Sequence, residues 1–122
     1  MRSTIGVDGM VITEEREGGV TVVALAGRVD SVTAGELEPR LLQYASGPAP
    51  RLVVDLSGVE YISSAGLRVL LRLVSRLREV QGELVLCSLA HGVREVFELA
   101  GFMAVFAVEP TRPLALARLA PR

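Results

Sequence analysis

Leu52-Val53-Val54-Asp55-Leu56-Ser57-Gly58-Val59-Glu60-Tyr61-Ile62-Ser63-Ser64-Ala65-Gly66-Leu67 passes from a short apolar run, through a polar connection, into a segment of helical periodicity. The run Leu52 to Leu56, interrupted by one acid, predicts a central strand buried on both faces, with a carboxylate near its C-terminal end. Beyond it, Leu67, Leu70, Leu71, Val74 and Leu77 share one helical face, and Arg68, Arg72, Ser75, Arg76 and Glu79 the other. The spacing predicts a helix from about Ser64 to Val80, stopped by Gln81-Gly82. Two serines therefore fall at the junction. The N–H groups of a helix's first turn lack intrahelical acceptors, and the macrodipole adds roughly half a positive charge there, so the site welcomes an anion without lysine or arginine. Two uses of Ser63 and Ser64 follow: an N-cap, or a hydroxyl that accepts a phosphoryl group.

Upstream, Met10 to Glu14 and Val20 to Leu25 are β-branched runs separated by Arg16-Glu17-Gly18-Gly19, which predicts an antiparallel hairpin. A first helix is predicted over about Thr33 to Tyr44, with Asp30, Ser31 or Thr33 as cap and Glu36 at capping-box spacing from Thr33. Gly47-Pro48-Ala49-Pro50 ends it. Downstream, Glu83 to Cys87 reads as a strand, Gly92 to Leu99 as a short helix, Ala104 to Val108 as the last strand, and Thr111 to Leu119 as a terminal helix. Helix and strand alternate from Arg28 onward, which predicts a mostly parallel sheet with helical crossovers.

A chain of 122 residues accommodates one domain, spanning 1–122 with an ordered core over about 10–119. Half the residues are hydrophobic but only 4% aromatic, so the core is built from Val, Leu, Ala and Ile. The net charge of -1 carries no electrostatic footprint for nucleic acid or an anionic bilayer. No stretch reaches the ~18 apolar residues of a membrane span, so no membrane insertion is expected and a cytoplasmic location fits. All 13 basic residues are arginine, which removes Schiff-base and P-loop lysine chemistry. The dinucleotide and Walker glycine signatures are absent, and one His and one Cys cannot assemble a His/Cys metal site, so neither cofactor nor metal is expected. Cys87, inside an apolar strand, reads as packing. Ser63 or Ser64 with His91 and Asp55 could supply a catalytic triad, but Ile62-Ser63-Ser64-Ala65-Gly66 lacks the G-x-S-x-G elbow. Asp30 and Asp55 could pair for acid/base work, although caps and strand-end acids are commoner.

Gly27-Arg28-Val29-Asp30-Ser31-Val32-Thr33-Ala34 together with Val54 to Leu67 resembles the STAS domains of bacterial anti-sigma-factor antagonists. Gly82 to Leu86 and Val96 to Phe102 extend the likeness over nearly the whole chain. The resemblance implies the STAS fold: a mixed, mostly parallel α/β sheet of about five strands with about four flanking helices. It implies a non-enzymatic partner switch in transcription control. The antagonist binds a serine kinase of ATP-binding fold that doubles as an anti-sigma factor, is phosphorylated and released by it, and is restored by a PP2C-type phosphatase.

In that family the phosphorylated serine lies two residues before the loop glycine, in a pattern close to Asp-Ser-Ser-Gly. Counted back from Gly66 it corresponds to Ser64, with Ser63 as rival. Here Ser63 stands in place of the acid, and Ala65 follows the acceptor. Asp30 matches the acid of the family's first crossover loop. The expected partner-binding residues are Asp30, Ile62, Ser63, Ala65, Gly66, Leu67, Arg68 and Arg72. A STAS accessory subunit of a transporter or lipid-transport complex, using the same helix face without phosphorylation, is the alternative; a small hydrolase is the third.

Overall fold

Strand β4 (Arg51–Ile62) lies parallel to a neighbour on either side, β3 (Val20–Val29) and β5 (Glu83–Cys87), with Val23, Val54 and Leu86 in register across the three. The computed structural model describes residues 2–7 and 9–120. The sheet continues through β6 (Ala107–Glu109), parallel to β5, and through β2 (Met10–Glu17) and β1 (Arg2–Val7), which are antiparallel to their neighbours. Its six strands follow in chain order. Helices α1 (Ser31–Leu42), α2 (Ser64–Glu79) and α3 (His91–Leu99) make the crossovers between the parallel strands, and α4 (Arg112–Leu119) closes the chain.

Strands in sequence order joined by crossovers of one hand put the crossover helices on one face. On that face Val23, Leu25, Val54, Leu56 and Leu86 pack against Leu37 and Leu41 of α1, Leu70, Leu73 and Leu77 of α2, and Phe97 of α3. The side chains that alternate with these, Val20, Val22, Val53, Val85 and Cys87, meet Ala115 and Leu119 of α4 on the opposite face. That two-sided burial accounts for the continuous apolar character of β4 and β5.

The hairpin forms as its glycines predict, with Gly18 at φ +57° and Gly19 at φ +80°, the paired positive angles of a two-residue turn. Strand β4 runs six residues beyond its apolar core, to Ile62, keeping contact with β3 through two register shifts. Helix α1 begins at Ser31 rather than Thr33 because Asp30 takes the cap, and its capping box joins Asp30 to Thr33 instead of Thr33 to Glu36. The last strand is displaced from Ala104–Val108 to Ala107–Glu109. Phe106 is buried by α3 instead of by strand pairing, its ring edge-on to Phe97 at 5.5 Å between centroids. On α2 the buried face also takes in Val69 and Leu73, because α1 covers one flank of the helix and the sheet the other, while Leu71 is half-buried.

Candidate functional site

The C-terminal end of β4 delivers the two serines to α2. Ser63 keeps an extended backbone, and its Oγ accepts a hydrogen bond from the Gly66 N–H at 3.2 Å, which makes it the N-cap. Its own N–H donates to the Val29 carbonyl at 2.8 Å, and its carbonyl accepts from the Leu67 N–H at 3.0 Å. Ser64 is the first helical residue and is exposed. Among the described residues its hydroxyl makes no hydrogen bond. One serine is thus consumed by the fold and the next is presented to solvent at the positive end of a helix of 16 residues.

Gly66 lets that first turn sit close to the core. A Cβ there would lie 2.6 Å from Val29 Cγ1 and 2.9 Å from Ile62 Cγ1. Ile62, Gly66 and Leu67 are buried, so they hold the corner from beneath, while Ala65, Arg68 and Arg72 follow Ser64 on α2 and line a groove with Ser31 of α1.

Asp30 caps that second helix start. Its Oδ1 accepts from the Val32 and Thr33 N–H groups at 3.0 Å each, while Thr33 Oγ1 accepts from the Asp30 N–H at 2.8 Å. The Thr33 N–H bond, helped by Val32 and the charge of Arg28, holds the Asp30 carboxyl below the usual carboxylate range against a smaller opposing effect of desolvation. The bond from Ser63 to Val29 ties the two helix starts into one surface, since Val29 directly precedes Asp30.

Between α1 and α2 runs a groove of about 180 Å³, lined in part by Ser31, Glu38, Ala65, Arg68 and Arg72. Arg72 donates to Glu38 across it at 2.6 Å. Arg68 is exposed and has no salt bridge among the described residues. Two further side chains at this end of the sheet escape a reading based on motifs. Val32 is 64% exposed in the first turn of α1, and Tyr61 is 41% exposed with the Arg28 guanidinium 4.5 Å from its ring centre. The alternation Glu60-Tyr61-Ile62 carried the signal for Tyr61, because Ile62 points inward.

The candidate catalytic residues are not brought together. Asp55 lies on the α4 face of the sheet, 5% exposed, with its Oδ2 accepting from Arg112 Nε at 2.9 Å, whereas α2 covers the other face. Burial works against the Arg112 charge, but the hydrogen bond and charge of Asp55, with Glu15, outweigh it and raise its pKa. His91 opens α3 and meets Glu95 one turn on at 3.0 Å. Asp30 and Asp55 are each held by partners of their own. Cys87 is buried, and desolvation followed by the nearby Asp55 charge pushes its thiol up to about 11, so it stays neutral near pH 7. Among the described residues, no cluster of His, Cys, Asp and Glu is arranged to hold a metal ion, and no helix is long and apolar enough to cross a membrane.

Residues 11–115 match the sequence pattern of the STAS domain, spanning the hairpin, both capped helix starts and the first half of α4. The chain belongs to the STAS domain family. A protein of Bordetella bronchiseptica named as an anti-sigma factor antagonist, BtrV, is 45% identical over 108 residues, covering 88% of this chain and 93% of that one. The crystal structure of an anti-sigma factor antagonist from Mycobacterium paratuberculosis is similar at a TM-score of 0.79 and 29% identity, over 98% of this chain and 94% of that one. An anti-sigma-factor antagonist STAS domain protein from Planctomyces limnophilus is similar at a TM-score of 0.79 and 25% identity, over 88% and 96% of the two chains. Among the described residues this STAS domain has six strands and four helices, one strand more than the about five that the resemblance implied. The extra strand is β1, whose Arg2-Ser3-Thr4-Ile5-Gly6 stretch is exposed and carries no apolar alternation to announce it.

Proposed function

We propose that this STAS domain is an anti-sigma-factor antagonist that works in the cytoplasm by partner switching, with Ser64 as its phosphoacceptor. The observation that carries the reading is the division of labour at the helix start. Ser63 is committed to the Gly66 N–H, while Ser64 offers a solvent-exposed hydroxyl one residue later. The partner is a serine kinase of ATP-binding fold that also serves as the anti-sigma factor. It docks on the surface formed by Asp30, Ser63, Ser64, Ala65, Arg68 and Arg72, with Ile62, Gly66 and Leu67 shaping that surface from below.

In the forward step Ser64 Oγ attacks the γ-phosphorus of ATP. The new O–P bond forms as the bond to the bridging oxygen of ADP breaks, and the serine proton passes to a base of the kinase. In the reverse step a PP2C-type phosphatase transfers the phosphoryl group to water and regenerates the hydroxyl. The product carries about -1.5 to -2 charge. At a helix start that charge is tolerated, so the fold is retained. Inside an interface the same charge must be desolvated, at a cost of several kcal/mol when unpaired, and the complex weakens by ~100-fold or more.

The test is to incubate the chain with the kinase that co-purifies with it and ATP, and then to measure binding before and after phosphorylation. Tight binding of the unmodified chain and release of the phosphorylated one support the cycle. Equal affinity of the two forms overturns it.

A further inference from the structure

We propose that phosphate on Ser64 is clasped by Arg68 of the same helix, so that phosphorylation takes a positive charge off the docking surface as well as adding a negative one. The inference rests on Ser64 being the acceptor and concerns how the modified state is held. Ser64 and Arg68 stand four residues apart on α2, both exposed. Positions i and i+4 face each other with Cβ atoms roughly 5–6 Å apart, and an acid on the N-terminal side of a base is the favourable order. Side chains on a helix lean toward its N-terminus, so Arg68 leans over the turn that starts at Ser64.

Among the arginines of α2 the surroundings single Arg68 out, while Arg28 at the end of β3 is seated over the Tyr61 ring. Arg72, one turn further on, is neutralised by Glu38 at 2.6 Å. Arg76 and Arg78 lie in the last turn of the helix, beyond reach of Ser64. Arg68 has no salt bridge among the described residues, and it lines the α1–α2 groove together with Ala65, the residue after Ser64. Before modification its guanidinium is free for an acidic group of the partner. Afterwards it faces a dianion with three acceptor oxygens on its own helix, for which its planar fork of donors is suited. The intramolecular pair needs no association and outcompetes a partner carboxylate of single charge.

Ser64→phosphoserine protein made by incorporating the modified residue during synthesis tests the clasp without any kinase. The phosphorus NMR shift is followed against pH in the otherwise unchanged chain, in Arg68→Gln and in Arg76→Gln. The helix start lowers the second phosphate pKa in all three, so the difference between them is what reports the clasp. Arg68→Gln is expected to raise that pKa by about 0.15–0.4 unit, in line with the usual strength of an i,i+4 pair, and Arg76→Gln to leave it in place. Superimposable titrations for the chain and Arg68→Gln overturn the clasp while leaving the partner-switching cycle untouched. Failure of a kinase to modify Ser64 has the converse meaning, because the titration does not depend on it.

Discussion

The Ser63 hydroxyl accepts the Gly66 N–H at 3.2 Å and so caps the helix on which Ser64 is the first residue. The cap and the proposed phosphoacceptor are therefore adjacent residues with separable roles. Ser63→Ala removes the cap and is expected to cost about 0.5–2 kcal/mol of stability, read from the denaturant midpoint, while Ser64 still accepts phosphate. Loss of phosphorylation in a folded Ser63→Ala protein would reverse the assignment of the two serines.

Gly66→Ala sets two effects against each other. Alanine is favoured over glycine inside a helix by about 1 kcal/mol, but the new methyl would sit 2.6 Å from Val29 Cγ1 and 2.9 Å from Ile62 Cγ1, both in the core. Overpacking of this kind costs about 1–3 kcal/mol. The expected outcome is a net loss of stability, and a stabilised variant would show that the corner relaxes freely.

Asp30 gives the domain an acid-sensitive cap. Its folded carboxyl titrates below its ordinary value, chiefly through the Thr33 N–H bond, so its contribution is present above the unfolded pKa near 3.9 and is lost as pH falls through the lower, folded one. Asp30→Asn keeps a capping oxygen and removes the titration. Stability curves of the two proteins should differ most above about pH 4 and converge below it. Parallel curves throughout that range would contradict the shift.

The neighbouring arginines differ in what they already do. Arg72 spans the groove to Glu38 in an exposed pair worth no more than about 1 kcal/mol, so Arg72→Gln is expected to change stability little. Arg68→Glu places a negative charge beside Ser64, and is expected to weaken kinase binding at least 10-fold, or about 1.4 kcal/mol, with an unchanged unfolding midpoint. Unchanged affinity in calorimetric titration would move the interface away from α2.

Much of this arrangement is written in local sequence. Two-sided burial gives β4 its apolar run, and the periodicity from Leu67 to Leu77 marks α2 with its serines at the start. The choice between Ser63 and Ser64 as cap is not local. It follows from the bond between the Ser63 N–H and Val29 at the end of β3, 34 residues earlier in the chain, which fixes where the strand stops and the helix starts. The last strand lies at Ala107–Glu109 and not Ala104–Val108 for a similar reason, since Phe106 is apolar to suit Phe97 and not to suit a strand neighbour. Ile62 and Leu67 follow the apolar periodicity, whereas Gly66 lies inside the motif and faces Val29 and Ile62 in the core, which residue spacing alone does not reveal.

Phosphopeptide mass spectrometry after incubation with the cognate kinase and ATP tests the central claim most directly. The account requires phosphate on Ser64, none in Ser64→Ala, and a Ser64→Ala protein that remains bound to the kinase. Phosphate confined to Ser63, or none on either serine with a kinase shown to be active, would contradict it.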